Sequence, residues 1–265
     1  MIFFKTDEEI ELLRESNILV SKTLAHVAGL LKVGITGKTI DKAAEEFIRD
    51  HGGVPGFKGY RGFPATLCLS KNSEVVHGIP DDHVFTENDL LSVDCGVILN
   101  GFYGDSAYSF AFRNVPEEVH DLMRVTKKAL YLGIEKCVPG NRIGDISFAI
   151  QHFCEKENPY GIVRELVGHG IGRNLHEDPE VPNFGQKGKG PMLKSGMVIA
   201  IEPMVNLGDR RVKQGNDGWT IFTRDTKPSV HFEHSVAVRD FGYDILSDHS
   251  YIEISMKNNP EIHFI

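Results

Sequence analysis

Residues 93–107 read V-D-C-G-V-I-L-N-G-F-Y-G-D-S-A, and this stretch predicts a β-hairpin that carries two carboxylates. The dipeptide Asn100-Gly101 is a strong hairpin signal, because both residues tolerate the positive φ that a type I′ turn requires. A two-residue turn there places Asp94 opposite Ala107, with Asp105 on the same face one diagonal step away. The two carboxylates are then close enough to share an ion, although a single Asp on a strand is more often an ordinary solvated acid.

Three further polar side chains stand in apolar or glycine-rich stretches, where an unpaired charge is costly. His169 lies in G-H-G, Glu202 follows the apolar run V-I-A-I, and Glu233 lies in the alternating segment V-H-F-E-H-S-V. An unpaired glutamate in such a stretch would cost several kcal/mol or would have to protonate. Together with the hairpin these residues supply four carboxylates and one imidazole, a ligand set typical of sites that hold two divalent ions. The oxygen-rich set favours manganese, iron(II) or cobalt, and zinc remains a candidate.

Two other histidines are candidates for catalysis rather than for metal binding. His77 lies in V-V-H-G-I-P and His176 in N-L-H-E-D-P, each in a turn bounded by glycine or proline. An imidazole that overhangs a metal site can hydrogen-bond the oxyanion of a tetrahedral intermediate. Most of the twelve histidines are expected to be ordinary surface or core residues, and the motif context singles out these two.

Size and charge restrict the function. The chain has 265 residues and a formal net charge of -8, which argues against a stable nucleic-acid interface, since such an interface requires a basic surface. The N-terminus has no signal-peptide pattern and no stretch is apolar over the length of a membrane span. Four cysteines without C-x-x-C spacing suit reduced thiols. We therefore expect a cytoplasmic protein without membrane contact, most simply a monomer.

The element pattern predicts a mixed α/β fold. A capping box at Thr6–Glu9 opens a long helix that ends by Gly34, and further helices are predicted before Gly52, after Pro116 and over 143–153. Short strands with glycine turns make up most of the rest. A faint internal repeat pairs Gly34, Ile40, Ala43 and Phe47 with Gly140, Ile146, Ala149 and Phe153. This favours one domain, residues 1–265, with two pseudo-symmetric halves.

Several motifs together resemble the type I methionine aminopeptidases, in the compact bacterial form. They are V-V-H-G-I-P (75–80), V-D-C-G (93–96), G-D-S-A (104–107), V-G-H-G-I-G-R-N-L-H-E (167–177), A-I-E-P-M (200–204) and F-E-H-S-V-A-V (232–238). The resemblance spans nearly the whole chain. It implies the pita-bread fold, a pseudo-symmetric α/β domain whose curved antiparallel sheet cradles two metal ions with helices on its outer face.

The same resemblance implies a role for each motif residue. The metal ligands would be Asp94, Asp105, His169, Glu202 and Glu233, with Asp105 and Glu233 bridging. Glu202 would also act as general base toward the bridging water that attacks the amide. His176 would stabilise the tetrahedral intermediate, and His77 would position the substrate. The pocket for the substrate methionine would be formed by Tyr60, Phe63, Cys68 and Trp219, an apolar and polarizable lining suited to a thioether.

The implied activity is removal of the initiator methionine from nascent proteins and peptides with a small second residue. Basic residues on two loops could contact the ribosome transiently, namely Lys187, Lys189, Lys194, Arg210, Arg211 and Lys213. Two alternatives stay open from the sequence. One is a proline-directed peptidase of the same fold, although such enzymes usually carry an additional N-terminal domain and only about 90 residues precede Asp94. The other is a non-catalytic binding module that has lost its metals.

Overall fold

A computed structural model describes residues 1–264, which form five α-helices and sixteen β-strands. The helices are α1 (Asp7–Leu30), α2 (Gly37–Asp50), α3 (Glu117–Ile134), α4 (Ile143–His152) and α5 (Ser250–Lys257). The strands are β1 (Val54–Pro55), β2 (Leu67–Lys71), β3 (Glu74–Val76), β4 (Leu90–Leu99), β5 (Phe102–Phe112), β6 (Gly161–Ile162), β7 (Gly168–Gly170), β8 (Glu177–Val181), β9 (Val198–Ile201), β10 (Met204–Asn206), β11 (Val212–Gln214), β12 (Ile221–Thr223), β13 (Ser229–His231), β14 (His234–Arg239), β15 (Gly242–Ile245) and β16 (Ile262–His263).

The helix boundaries follow local sequence signals. At the start of α1 the Thr6 hydroxyl accepts a hydrogen bond from the Glu9 amide, and the Glu9 carboxylate accepts one from the Thr6 amide, each at 3.2 Å. This is the predicted capping box, which satisfies two amides that lack partners inside the helix. Helix α1 ends at Leu30, before the predicted Gly34, because Leu31 is already extended. Helix α3 begins after Pro116, as predicted.

The hairpin of β4 and β5 has the register predicted from its turn. Asn100 and Gly101 adopt φ of 53° and 78°, and Leu99 pairs with Phe102. Asp94 therefore pairs with Ala107, and Asp105 lies on the same face. The long buried ladder fixes both carboxylates relative to each other, since a slip of one residue would turn every side chain to the opposite face.

All pairs between the named strands are antiparallel. One five-stranded sheet runs β1-β4-β5-β16 with β2 also on β4, and another runs β15-β14-β9-β7-β8. The two sheets meet where β5 and β14 run side by side. There the Glu233 amide donates to the Ala107 carbonyl at 3.0 Å, and the Ser235 hydroxyl donates to the Asp105 carbonyl at 2.9 Å. This junction brings carboxylates from both sheets together.

The helices lie on these sheets. Helix α1 packs across β4 and β5 and against α5, and α3 packs against α4 and contacts β9, β10 and β13. The four free cysteines are all buried. Over residues 1–264 no helix combines the length and apolar character needed to cross a bilayer.

The two segments of the faint sequence repeat share one local structure. Gly34 and Gly140 adopt φ of 90° and 92°, a conformation that favours glycine, and each lies shortly before a helix, α2 or α4. A single antiparallel bridge precedes each helix, at Thr36 and at Arg142. The correspondence supports an internal repeat at this level, and the division of residues 1–265 into two pseudo-symmetric halves stays a prediction.

Candidate metal centre

Five side chains from both sheets converge at the bottom of one cavity of about 150 Å³. Asp94 lies on β4, Asp105 on β5 and His169 on β7; Glu202 directly follows β9, and Glu233 lies between β13 and β14. Ligand atoms of Asp105, His169 and Glu233 all lie within 4.8 Å of one another. The structure thus brings together all five residues that the sequence analysis named as ligands.

His169 is oriented as a metal ligand would be. Its Nδ1 lies 2.9 Å from the carbonyl oxygen of Gly170, which can only accept, so Nδ1 carries the proton. Its Nε2 lone pair then faces carboxylate oxygens of Asp105 at 3.9 Å and Glu202 at 3.7 Å. A backbone carbonyl that holds the remote nitrogen of a histidine is a common support for metal ligation. The Nε2 lone pair and the carboxylate oxygens repel one another unless a cation or a proton lies between them.

The buried carboxylates lack the partners that buried acids normally have. Asp94 Oδ1, Asp105 Oδ1 and Glu233 Oε1 are buried without a hydrogen-bond partner among the described residues. Burial raises the pKa of Asp94 and of Glu202 to about 7 each. Burial and then the neighbouring acids raise the pKa of Asp105 and Glu233 well above the ordinary range. Divalent cations would remove both penalties, so the donor set fits a metal centre.

The glycines around His169 are required by strand packing. A Cβ on Gly168 would lie 2.3 Å from the Ala200 carbonyl oxygen, and one on Gly170 would lie 2.2 Å from that of Asp178. The sequence analysis noted these glycines as flanking residues of a ligand. The structure explains why they are glycines. Strand β7 lies between β8 and β9, and a side chain at position 168 or 170 would collide with the backbone of a neighbouring strand.

The two candidate catalytic histidines lie at the rim of the same cavity. Burial lowers the pKa of His77 to about 4, with a smaller contribution from His231, and its backbone lies in the left-handed region with φ of 59°. Burial, then the charges of His169 and Arg61, lower the pKa of His176. His176 stacks on Tyr60, and the Tyr60 hydroxyl lies 2.8 Å from its Nδ1. Both imidazoles are therefore neutral near pH 7 and can each donate one hydrogen bond.

The four residues predicted to hold the substrate side chain line the upper part of the cavity. Phe63 meets the Trp219 ring edge-on at a centroid distance of 5.2 Å, and Cys68 is buried opposite Asp94 in the sheet. Burial raises the pKa of the Cys68 thiol well above its usual range, so the sulfur stays protonated and apolar in character. Tyr60 completes this group.

Four residues of the site are not among the predicted site residues. Phe57 and Arg61 line the cavity near Tyr60, and Leu175 lines it beside His176. His231 is buried, with Nε2 3.5 Å from a Glu202 carboxylate oxygen and no hydrogen-bond partner among the residues described. The alternation of the segment V-H-F-E-H-S-V (230–236) puts His231 on the same side of the strand as Glu233, so the sequence contains a signal for one of these four residues.

A comparison with known proteins identifies the family. The model of metallopeptidase family M24 matches residues 11–240. The chain therefore belongs to metallopeptidase family M24, which implies that it binds divalent metal ions. It is 49% identical over 247 residues to the methionine aminopeptidase of Clostridium perfringens, covering 93% of this chain and 99% of that protein. The crystal structure of methionine aminopeptidase from Rickettsia prowazekii matches with a TM-score of 0.92 at 37% identity, covering 94% of this chain and 100% of that one.

These likenesses bear on the open alternatives. The prolidase from Pyrococcus furiosus matches with a TM-score of 0.73 but at 20% identity, and only 65% of its chain is covered, so it shares the fold alone. The resemblance to methionine aminopeptidases and the enzyme class, a metal-dependent aminopeptidase, are confirmed. The predicted pita-bread fold is confirmed by the Rickettsia prowazekii structure.

Proposed function

We propose that this metallopeptidase removes the N-terminal methionine from peptides and nascent proteins whose second residue is small. The observation that carries the proposal is the convergence of four carboxylates, two buried and two half-buried, and one imidazole on an otherwise largely apolar cavity. The names of the relatives, which this chain covers almost completely, support the same activity. Residues 1–265 act in this proposal as a single catalytic domain.

Two divalent ions would be held by Asp94, Asp105, His169, Glu202 and Glu233, with Asp105 and Glu233 bridging. The closeness of those two carboxylates supports this division, since their ligand atoms lie within 4.8 Å of each other and the Glu233 amide is hydrogen-bonded to β5, the strand that carries Asp105. Bound ions would supply a water activated for attack and would polarise the amide carbonyl. The oxygen-rich donor set favours manganese, iron(II) or cobalt, with zinc also compatible.

Glu202 is the proposed general base. Its two carboxylate oxygens face different imidazoles, His169 at 3.7 Å and His231 at 3.5 Å. Burial raises its pKa toward neutrality, which suits a group that takes a proton and returns it to the leaving amine. His231 would hold this carboxylate in place by donating a hydrogen bond to the oxygen that does not face His169.

The two rim histidines would handle the substrate amide. A hydrogen bond from the Tyr60 hydroxyl to His176 Nδ1 would leave the proton on Nε2, the nitrogen available to an oxyanion. His77 would position the amide or the terminal amine. Both roles require neutral imidazoles, which the lowered pKa values supply.

The substrate methionine would enter the pocket of Tyr60, Phe63, Cys68 and Trp219. Burying a side chain of this size contributes roughly 1.5–3 kcal/mol, enough to prefer methionine but not to reject apolar side chains of similar shape strongly. Phe57 and Leu175 extend the apolar lining. We therefore expect good but incomplete selectivity for methionine.

The proposal includes a transient ribosome contact, but with fewer basic residues than the sequence suggested. Arg210 and Arg211 pair with Glu165 and Asp209, so their charges are largely neutralised. Four exposed lysines remain to meet phosphates, namely Lys187, Lys189, Lys194 and Lys213. A monomeric cytoplasmic enzyme would suit this setting.

The test is methionine release by the chelated protein reloaded with each candidate ion. Met-Ala-Ser peptides should yield free methionine only when a divalent ion is added. A Met-Leu-Ser peptide, whose second side chain is large, serves as the matched control and should be poorly cleaved. Turnover of an X-Pro peptide without turnover of Met-Ala-Ser would assign the chain to the proline-directed peptidases instead.

A further inference from the structure

A second cavity of about 470 Å³ lies directly beside the catalytic cavity. The two share Arg61, His169 and His176 as walls. The outer cavity is also lined by Phe3, Asn174 and Glu180. A peptide whose first residue fills the inner cavity has to leave past His176, and the outer cavity is the adjoining groove on that side. It is therefore placed to hold substrate residues that follow the second one.

Arg61 carries an unneutralised charge at the boundary of the two cavities. Its side chain is exposed, and its guanidinium lies 5.3 Å from the centroid of the Tyr60 ring instead of pairing with a carboxylate of the described residues. By contrast Lys58, in the same loop, pairs with Glu45 at 2.6 Å. Tyr60 in turn stacks on His176, so the cation lies one side chain away from the residue proposed to hold the reacting amide.

The backbone conformation of Arg61 is energetically unfavourable. Its φ of 49° and ψ of 23° lie in the left-handed region, where residues other than glycine and asparagine are uncommon. Hydrogen bonds from Gly59 N to the Phe63 carbonyl and from Phe63 N to the Tyr60 carbonyl, at 2.8 and 2.9 Å, close the turn on both sides. Gly59 and Gly62 supply left-handed conformations at the neighbouring positions. A cation held in a left-handed conformation that glycine would adopt more easily is consistent with a role for its charge.

We propose that the outer cavity is a subsite for the third and fourth residues of the substrate, and that Arg61 selects acidic side chains there. This rests on the proposed function. A guanidinium matches a carboxylate with paired hydrogen bonds, whereas a lysine side chain would meet like charge. Three acidic side chains also form part of the cavity wall: Glu177 pairs with Lys5 at 2.6 Å, Asp178 pairs with the N-terminal amine, and Glu180 is exposed. The competing prediction is therefore a preference for lysine, governed by that wall.

The experiment compares peptides of the form Met-Ala-Ser-Ser that carry Asp or Lys at the third or at the fourth position. The readout is the ratio of kcat/KM for the Asp peptide to that for the Lys peptide, measured with one enzyme, which removes differences in overall activity. The metal-loaded enzyme should give a ratio of about three to ten at one of the two positions at low ionic strength. The ratio should fall in about 0.5 M salt, because the screening length shortens.

Three variants locate the effect. Arg61→Asn keeps a residue that tolerates the left-handed backbone and should bring the ratio to about one. Arg61→Lys keeps the charge and should hold the ratio above one. Lys58→Asn removes a positive charge from the same loop, outside both cavities, and should leave the ratio at its wild-type value.

Three results would overturn the proposal. They are a wild-type ratio of one at both positions while methionine is still released, a ratio below one, and an unchanged ratio in Arg61→Asn. Any of these would leave the aminopeptidase function standing. Absence of methionine release from every peptide would instead overturn the proposed function and this inference with it.

Discussion

Two parts of the catalytic cavity are built in different ways. The floor consists of the predicted ligands Asp94, Asp105, His169, Glu202 and Glu233, and the rim consists of Tyr60, Arg61, His77, His176 and Trp219. The floor ligands Asp105 and Glu233 are only 4% and 2% exposed and are held by ladder hydrogen bonds between two sheets. The rim residues Tyr60, Arg61 and Trp219 lie on short turns, held by their own loop hydrogen bonds. The difference indicates that the fold dictates where the chemistry occurs, whereas local loop sequence decides which substrate reaches it.

The two regions also differ in how they affect the free energy of folding. The floor crowds acids whose pKa values burial raises, and three of its oxygens lack partners within residues 1–264. The rim contains neutral imidazoles and aromatic rings that pack favourably. Without metal the floor therefore opposes folding, while the rim contributes to it. Changes in the floor should alter metal binding and activity together, and changes in the rim should alter activity alone.

The largest expected effect comes from the floor. Asp105→Asn removes a carboxylate that is proposed to bridge the two ions, so the variant should lose bound metal and at least about three orders of magnitude in methionine release. Metal analysis after dialysis and a peptide assay measure both. A variant that kept its metal and lost only activity would break the distinction between floor and rim.

The next effect tests the rim. His176→Ala removes the proposed oxyanion donor and should lower kcat by about 10²–10³-fold while metal content stays at the wild-type level. The measurement pairs metal analysis with steady-state kinetics on one preparation. Loss of metal in this variant would show that His176 belongs to the floor, contrary to its assigned role.

A third effect concerns the stability of the chelated protein. The pKa of Asp105 is raised by folding, so its contribution to stability is fully present below the unfolded-state pKa and is lost as pH rises through the folded-state pKa. Asparagine suffers no such loss. The free energy of unfolding of Asp105→Asn relative to wild type should therefore grow as the pH rises from about 5, just above the unfolded-state pKa, by up to about 1.4 kcal/mol per pH unit.

Urea unfolding in the presence of chelator measures this difference. Asp209→Asn is the matched control, because Asp209 is paired with Arg211 at the surface and its pKa is lowered, so it does not titrate in this range. If the free energy of unfolding of Asp105→Asn relative to wild type stayed constant with pH, burial of the floor carboxylates would not destabilise the metal-free protein.

The smallest effect lies within the rim. Tyr60→Phe removes the hydroxyl at 2.8 Å from His176 Nδ1 and should lower kcat about two- to tenfold, as expected for loss of one hydrogen bond, with metal content unchanged. Tyr103→Phe, a nearby tyrosine that does not line the cavity, is the control. Equal kinetics for Tyr60→Phe and wild type would remove Tyr60 from the positioning of His176.

The floor was predictable from sequence because its signals are local and strong. Asn100-Gly101 sets the register of β4 and β5, and the register alone puts Asp94 and Asp105 on one face. Glu202 follows an apolar strand, where an unpaired carboxylate would be costly to bury, so a partner for it is expected. All five predicted ligands and six other predicted residues line the cavity, while their individual roles stay predictions.

The rim was less predictable because its neighbours come from distant segments. Arg61 reads in sequence as an ordinary loop cation, and only the structure places it between two cavities that share His176. The predicted loop that carries Arg210, Arg211 and Lys213 contains the short strand β11, which pairs with β12 and thereby positions the segment before Trp219. Such pairings depend on tertiary contacts that local propensity does not encode.

The central claim is that the five floor side chains bind divalent ions together. A crystal structure of the manganese-loaded protein, with anomalous scattering recorded at a wavelength that identifies manganese, tests it most directly. The account predicts two anomalous peaks about 3.5–4 Å apart, ligated by Asp94, Asp105, His169, Glu202 and Glu233. Manganese bound elsewhere, or a cavity floor that stays free of metal at saturating concentration, would contradict it.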